Sequence, residues 1–131
     1  MSVEVHVVTP DREVWSGTVD LLVARGVDGM VGIMGGHAPL LIQLAIGPLR
    51  MQGEDGGWEE AVVDGGFLHV SSEGGTTRAD VLAANAELAA EIDVDASRRR
   101  LEELRGQTLD EDDEAAKIEV AKAEARIALV S

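Results

Sequence analysis

Over the first 83 residues, apolar and polar positions change over in short runs punctuated by glycine. Val3-Glu4-Val5-His6-Val7-Val8 alternates in places, which puts valines on one face of a strand and Glu4 and His6 on the other. Further β-type runs follow at Glu13 to Trp15, Val19 to Ala24, Val31 to Met34, Ile46 to Gln52, Trp58 to Val63, Phe67 to Ser71 and Thr76 to Leu82. Thr9-Pro10-Asp11 reads as a turn, because proline fixes φ and aspartate closes a local side-chain bond. Gly53-Glu54-Asp55-Gly56-Gly57 and Ser72-Glu73-Gly74-Gly75 read as hairpin loops, since glycine supplies the positive φ such turns need. Runs recurring every 8 to 12 residues or so are the pattern of a sandwich or barrel.

After Leu82 the pattern turns to Ala, Glu, Arg and Leu with few β-branched residues, which favours helix over strand. Asp93-Val94-Asp95 offers an N-cap for a helix running through Ser97 to Arg105, with Leu101 and Leu104 on one face, and Gly106 is expected to end it in a left-handed conformation. Thr108 or Asp110 is expected to cap a second helix whose early acids favour the positive end of its dipole. Ile118, Ala121, Ala125 and Leu129 would form its apolar stripe. The predicted organisation is mainly β plus α: an N-terminal antiparallel β-sandwich over 1–84, then a C-terminal two-helix antiparallel hairpin over 85–131. The hairpin's seam is largely alanine, and at about 25 cal/mol per Å² such a seam holds weakly. The hairpin should therefore undock easily.

A chain of 131 residues supports one real core. No run of apolar residues approaches the length of a membrane span, and the N-terminus carries no signal-peptide pattern, so neither insertion nor export is expected. The absence of cysteine removes disulfides and thiolate chemistry. A net charge of −14 argues against nucleic acid, whose phosphates recruit Lys and Arg. Most of the 11 basic side chains lie after position 97, so the helical part faces different surroundings from the sandwich.

Candidate chemistry thins out on inspection. The Gly29-to-Gly36 run lacks the Lys and Ser/Thr that a phosphate-binding P-loop needs, and reads as tight turns. His6, His37 and His69 lack zinc-pair spacing, and no metal site is expected; His6 and His69 read as outward-facing strand residues. His37, before Ala38-Pro39, sits in a turn where an imidazole can bond a partner chain. Carboxylate pairs such as Glu59-Glu60 and Asp112-Asp113 read as solvated charge. Without a nucleophile elbow or other catalytic signature, no catalytic residues are expected.

Two segments carry a family signal. The first is Gly29-Met30-Val31-Gly32-Ile33-Met34-Gly35-Gly36-His37-Ala38-Pro39-Leu40, and the second is Gly65-Gly66-Phe67-Leu68-His69-Val70. In order and spacing they resemble the epsilon subunit of the F-type, proton-translocating ATP synthase, with Gly35 where that family usually has proline. Ala79-Asp80-Val81-Leu82-Ala83 extends the likeness.

The resemblance implies ten strands in two sheets; Trp15, Phe67 and the Val, Leu and Ile positions are expected to build the core, because only three aromatic residues exist to fill it. It implies a place in the central stalk at the cytoplasmic face of a bacterial plasma membrane, peripheral to it. The partners would be the gamma subunit and the membrane c-ring, with Met30 facing the ring and His37 and Pro39 near the shaft. Arg98, Arg99, Arg100 and Arg105 would meet the catalytic beta and alpha subunits and oppose ATP hydrolysis, unless they pair with nearby acids as ordinary helix charges. Some members bind ATP through an Ile/Leu-Asp-x-x-Arg-Ala motif. Ile92 and Asp93 match, but Ala96 replaces the arginine and Ser97 the alanine, leaving Ile92, Asp93 and Arg126, with Lys122 nearby, as a remnant. No cofactor is required on this reading, and ATP would be a regulatory ligand. The alternatives are a free-standing β-sandwich binding module and an ATP-responsive sensor with no rotor role.

Overall fold

The structure, a computed structural model, describes residues 2–107 and 113–130. Strands β1 (Val3–Val8), β2 (Glu13–Val19), β3 (Leu21–Gly26), β4 (Gly29–Met34), β5 (Leu40–Gln52), β6 (Trp58–Glu73), β7 (Thr76–Leu82) and β8 (Ala86–Leu88) precede a short 3-10 turn (Ala89–Glu91) and helices α1 (Val94–Gly106) and α2 (Glu114–Val130). All eight strands join one hydrogen-bonded sheet in the order β2-β1-β7-β6-β5-β3-β4, with β8 on β6.

The sheet folds over on itself because β5 and β6 serve both layers. Leu40 to Leu44 pairs with Gly66 to Val70 and leads through β7 and β1 to β2. Ile46 to Gln52 pairs with Trp58 to Asp64 and leads to β3 and β4 on one side and β8 on the other. The bend falls at Gly65 and Gly66, whose φ of 81° and 125° only glycine adopts without strain. The ten strands implied by the family likeness are thus eight continuous ones, two of them shared. One pairing departs from the antiparallel pattern: β1 lies parallel to β7.

Alternation does the rest. Val3, Val5 and Val7 are fully buried, and with Leu22, Ile33, Leu49, Leu68, Val70 and Val81 they fill the space between the layers. Trp15 packs against this core from its margin. Phe67, expected inside, is half exposed, because the phase set by the Gly65-Gly66 bend turns Leu68 and Val70 inward and Phe67 and His69 outward.

The helical region departs from expectation at three points. Residues 86–88, whose alanine-rich stretch suggested helix, form β8 on the sandwich. Arg12 then clasps Glu91 at 3.0 and 3.1 Å, while the Glu91 carboxylate accepts from the Leu88 amide. Gly106 is the last residue of α1 but has no left-handed φ; the extended Gln107 follows it. Ile118 of the expected stripe is exposed, and the buried residues of α2 are Ala123 and Arg126. Asp113 caps α2 by accepting from the Ala116 amide at 3.0 Å; Thr108 and Asp110, the expected caps, lie outside the described residues.

Candidate functional site

The helical hairpin meets the sandwich along a seam built from α1, α2, β5, β6 and β8. A cavity of about 330 Å³ opens there, lined among others by Ala96, Ser97, Arg100, Lys122 and Arg126. Of the residues proposed from the sequence as a nucleotide remnant, Arg126 and Lys122 line this cavity, whereas Ile92 and Asp93 do not, and each is already engaged within the chain. Asp93 is the N-cap of α1 and accepts from the Ala96 amide at 3.0 Å. Ile92 is half buried just ahead of it and closes the 3-10 turn through its amide. Ala96 lines the cavity and offers no side-chain donor.

Arg126 is buried in the seam, at 8% exposure. Its Nη1 and Nη2 each donate to one oxygen of Asp64 at 2.9 Å, Nε donates to Glu87 at 2.6 Å, and Nη1 also reaches the Lys122 carbonyl at 3.0 Å. Burial pulls the guanidinium pKa down, but hydrogen bonds and attraction to Asp64 and Glu87 outweigh it and leave the pKa raised. Asp64 is held in turn: its amide donates to the Asn85 carbonyl at 2.9 Å, and the Asn85 side-chain amide donates to its carboxylate at 3.3 Å. The remaining cations of the cavity are Lys122, paired with Glu119, and Arg100, paired with Glu103. A ligand phosphate would therefore compete with carboxylates already in place.

The arginines proposed for contact with catalytic subunits are all exposed, although Arg100 also lines the seam cavity. Arg98 faces Asp95 at 3.8 Å, Arg100 faces Glu103 at 3.6 Å, and Arg105 reaches across to Glu124 of α2 at 3.5 Å. All three pairs are solvent-exposed and loosely spaced, which makes each worth little. Arg99 has no ion pair among the described residues.

Elsewhere on the sandwich, the β3–β4 hairpin and the start of β5 leave large apolar side chains in water. Met30 is 60% exposed, with Val27 and Leu41 similarly bare around a cleft of about 460 Å³, and Met34 is bare at the end of β4. Nearby, the His37 Nδ1 donates to the Ala38 carbonyl at 2.7 Å, which leaves Nε2 for a partner, and Pro39 is exposed. A second apolar row crosses the outer face of the sheet where half-buried Val8 and exposed Leu82 and Phe67 lie in register on β1, β7 and β6. Exposed apolar rows of this kind mark contact surfaces. Among the described residues, no group of three or more His, Cys, Asp or Glu could hold a metal.

Asp64, Asn85 and Glu87 escaped the sequence reading. Each is an isolated polar residue in a strand or loop, and only the tertiary fold brings them opposite α2.

Comparison with known proteins points one way. Residues 2–89 match the family described as ATP synthase, Delta/Epsilon chain, beta-sandwich domain. The chain is 44% identical to the ATP synthase epsilon chain of Streptomyces coelicolor over 107 residues, covering 80% of this chain and 83% of the relative. It is 38% identical to the epsilon chain of Thermobifida fusca over 126 residues, covering 95% and 90% respectively. Among solved structures, it superposes on a chain of the Euglena gracilis mitochondrial ATP synthase, OSCP/F1/c-ring in rotational state 1. The TM-score is 0.83 at 27% identity, with 99% of this chain and 82% of the other covered.

Proposed function

The chain belongs to the ATP synthase delta/epsilon family as an epsilon-type, non-catalytic subunit, and on that premise we propose that it couples the shaft of the central stalk to the membrane ring. The observation that carries the proposal is the pair of bare apolar surfaces on the sandwich, at Val27, Met30, Met34 and Leu41 and at Leu82 and Phe67. A lone globular domain gains nothing by leaving such side chains in water, whereas a subunit clamped between a gamma chain and a c-ring covers them. On this reading the stiff two-layer sandwich transmits torque, and proton flow and ATP synthesis are coupled through it. The chain works at the cytoplasmic face of the membrane without entering it; no described helix is long and apolar enough to cross one. The basic outer side of α1 then faces the catalytic beta and alpha subunits and restrains ATP hydrolysis.

The test is co-purification with the gamma subunit of the same organism. Met30→Asp with Leu41→Asp, and separately Phe67→Asp, should weaken capture while the sandwich still melts cooperatively. Undiminished capture by all variants would count against these surfaces, and no capture of the native chain would return the free-standing module.

A second reading, regulation by bound ATP, draws on the seam cavity with Ser97, Arg100 and Lys122 on its walls. It requires the nucleotide to do without an arginine at position 96. Calorimetric titration with ATP decides it: heat that Lys122→Ala removes supports the site, and absence of heat at millimolar nucleotide ends it.

A further inference from the structure

We infer that Arg126 is a latch: a single buried guanidinium on α2, received by Asp64 and Glu87 of the sandwich, selects the docked pose of the helical hairpin. The inference concerns the chain alone and does not depend on the rotor assignment.

The rest of the seam offers little to hold the hairpin in one place. Among the described residues, the buried side chains of the two helices are Leu104, Ala123 and Arg126. Farther along α2, Ala125, Ala128 and Leu129 face Gly47 and Pro48 across a cleft. Small apolar groups bury little area and slide over one another without a strong preference for register. A guanidinium differs in both respects. Four of its five N–H donors are used here, in a planar fork that fits the Asp64 carboxylate at 2.9 Å on both prongs.

The receptor is built into the sheet. Asp64 pairs with Ile46 at the end of the first half of β6, and Glu87 pairs with Val62 through β8. Both acceptors are therefore fixed on strand backbones before α2 arrives. The Asp64 side chain is only 4% exposed with the helix in place.

Such a contact behaves as a latch and not as glue. When the hairpin leaves as a unit, the cation and both carboxylates regain water, so the net gain from a buried ion pair is small and release stays accessible. When Arg126 or Asp64 is removed and the hairpin remains docked, the other is left buried without its main partner, and the docked pose is penalised severely. Docking in any shifted register incurs the same penalty. Arg126 thus makes attachment specific while leaving it reversible.

The chain lacks cysteine, so two introduced thiols can be labelled uniquely. Glu54→Cys on the β5–β6 loop and Glu114→Cys at the start of α2, both exposed, carry spin labels for pulsed distance measurement on the full chain. The parent should give one narrow distance. Arg126→Met should raise the undocked population roughly a hundredfold or more, on the scale of a broken buried pair. The swap Arg126→Glu with Asp64→Arg should restore the narrow distance in part. Arg126→Met that stays docked like the parent overturns the inference, as does undocking that the swap fails to reverse. Loss of the sandwich's own cooperative melting in Arg126→Met would make Arg126 part of the folding core and overturn the latch as well.

Discussion

Gly66 presses its backbone against the carbonyl of Leu82: a Cβ at position 66 would sit inside any permitted approach to that oxygen and would also crowd the Ala83 Cα at 2.8 Å. This contact holds β6 against the end of β7 at the bend, with Gly66 at a φ of 125°.

Gly66→Ala should therefore be among the most damaging single changes in the chain, costing more than about 3 kcal/mol through backbone strain and overlap together. Gly74→Ala is the comparison, because its φ of 58° is a left-handed position with open space around it. Its cost should stay near 1–2 kcal/mol, roughly the strain alone. Urea denaturation of the two variants checks the order; equal losses would show that the bend tolerates a side chain.

His6 predicts a pH dependence. Hydrogen bonds that the ring donates to the carboxylates of Glu4 at 2.9 Å and Glu13 at 3.1 Å raise the imidazole pKa, against a smaller lowering by burial and by Arg78. A histidine whose folded pKa exceeds its unfolded value stabilises the fold fully below the unfolded value of about 6.5 and loses that contribution as pH rises through the folded value. Native chain should thus exceed His6→Gln in stability at pH 5.5, and the gap should close by pH 8.5. Because both glutamates are largely solvent-exposed, the gap should be a few tenths of a kcal/mol. Thermal melting at the two pH values, with NMR titration of the ring, measures it. A gap that widens with pH would reverse the assignment.

The strand pattern was legible wherever one face meets the core, as in β1, where alternation alone separates the buried valines from Glu4 and His6. It failed where that signal is missing. The first half of β5, Leu40 to Leu44, is nearly all apolar and follows Pro39, so no period marks it as a strand. β8 contains only Ala, Glu and Leu, all good helix formers, and is a strand because β6 offers it an edge. Phe67 was misplaced because the glycine bend sets the inward phase of β6, and hydrophobicity alone cannot show it. At the seam, the Asp93 cap was readable as a local signal, but Asp64 and Arg126 are 62 residues apart and nothing local links them.

Asp93 lets capping be separated from charge. Asp93→Ala removes the acceptor for the Ala96 amide and should cost α1 about 1 kcal/mol. Asp93→Asn keeps an acceptor oxygen and should retain most of it. Hydrogen exchange at the first turn of α1 should accelerate in the alanine variant and change little in the asparagine one. Equal acceleration would mean that the charge at the helix start matters more than the hydrogen bond.

The arginines of α1 carry the regulatory part of the proposed function. Arg98, Arg99 and Arg100 are exposed, and the pairs at Arg98 and Arg100 are loose enough for a partner's carboxylates to displace. Changing all three to alanine should leave the fold intact, since none is buried and alanine favours helix. If these side chains restrain the catalytic subunits, ATP hydrolysis by the reconstituted complex should rise severalfold, most clearly at low ionic strength where the native contact is least screened. A matched variant with Glu102→Ala and Glu103→Ala controls for general loss of surface charge. Unchanged hydrolysis in the arginine variant, with the subunit still incorporated, would make these residues solvated helix charges and shift any restraint to another part of the chain.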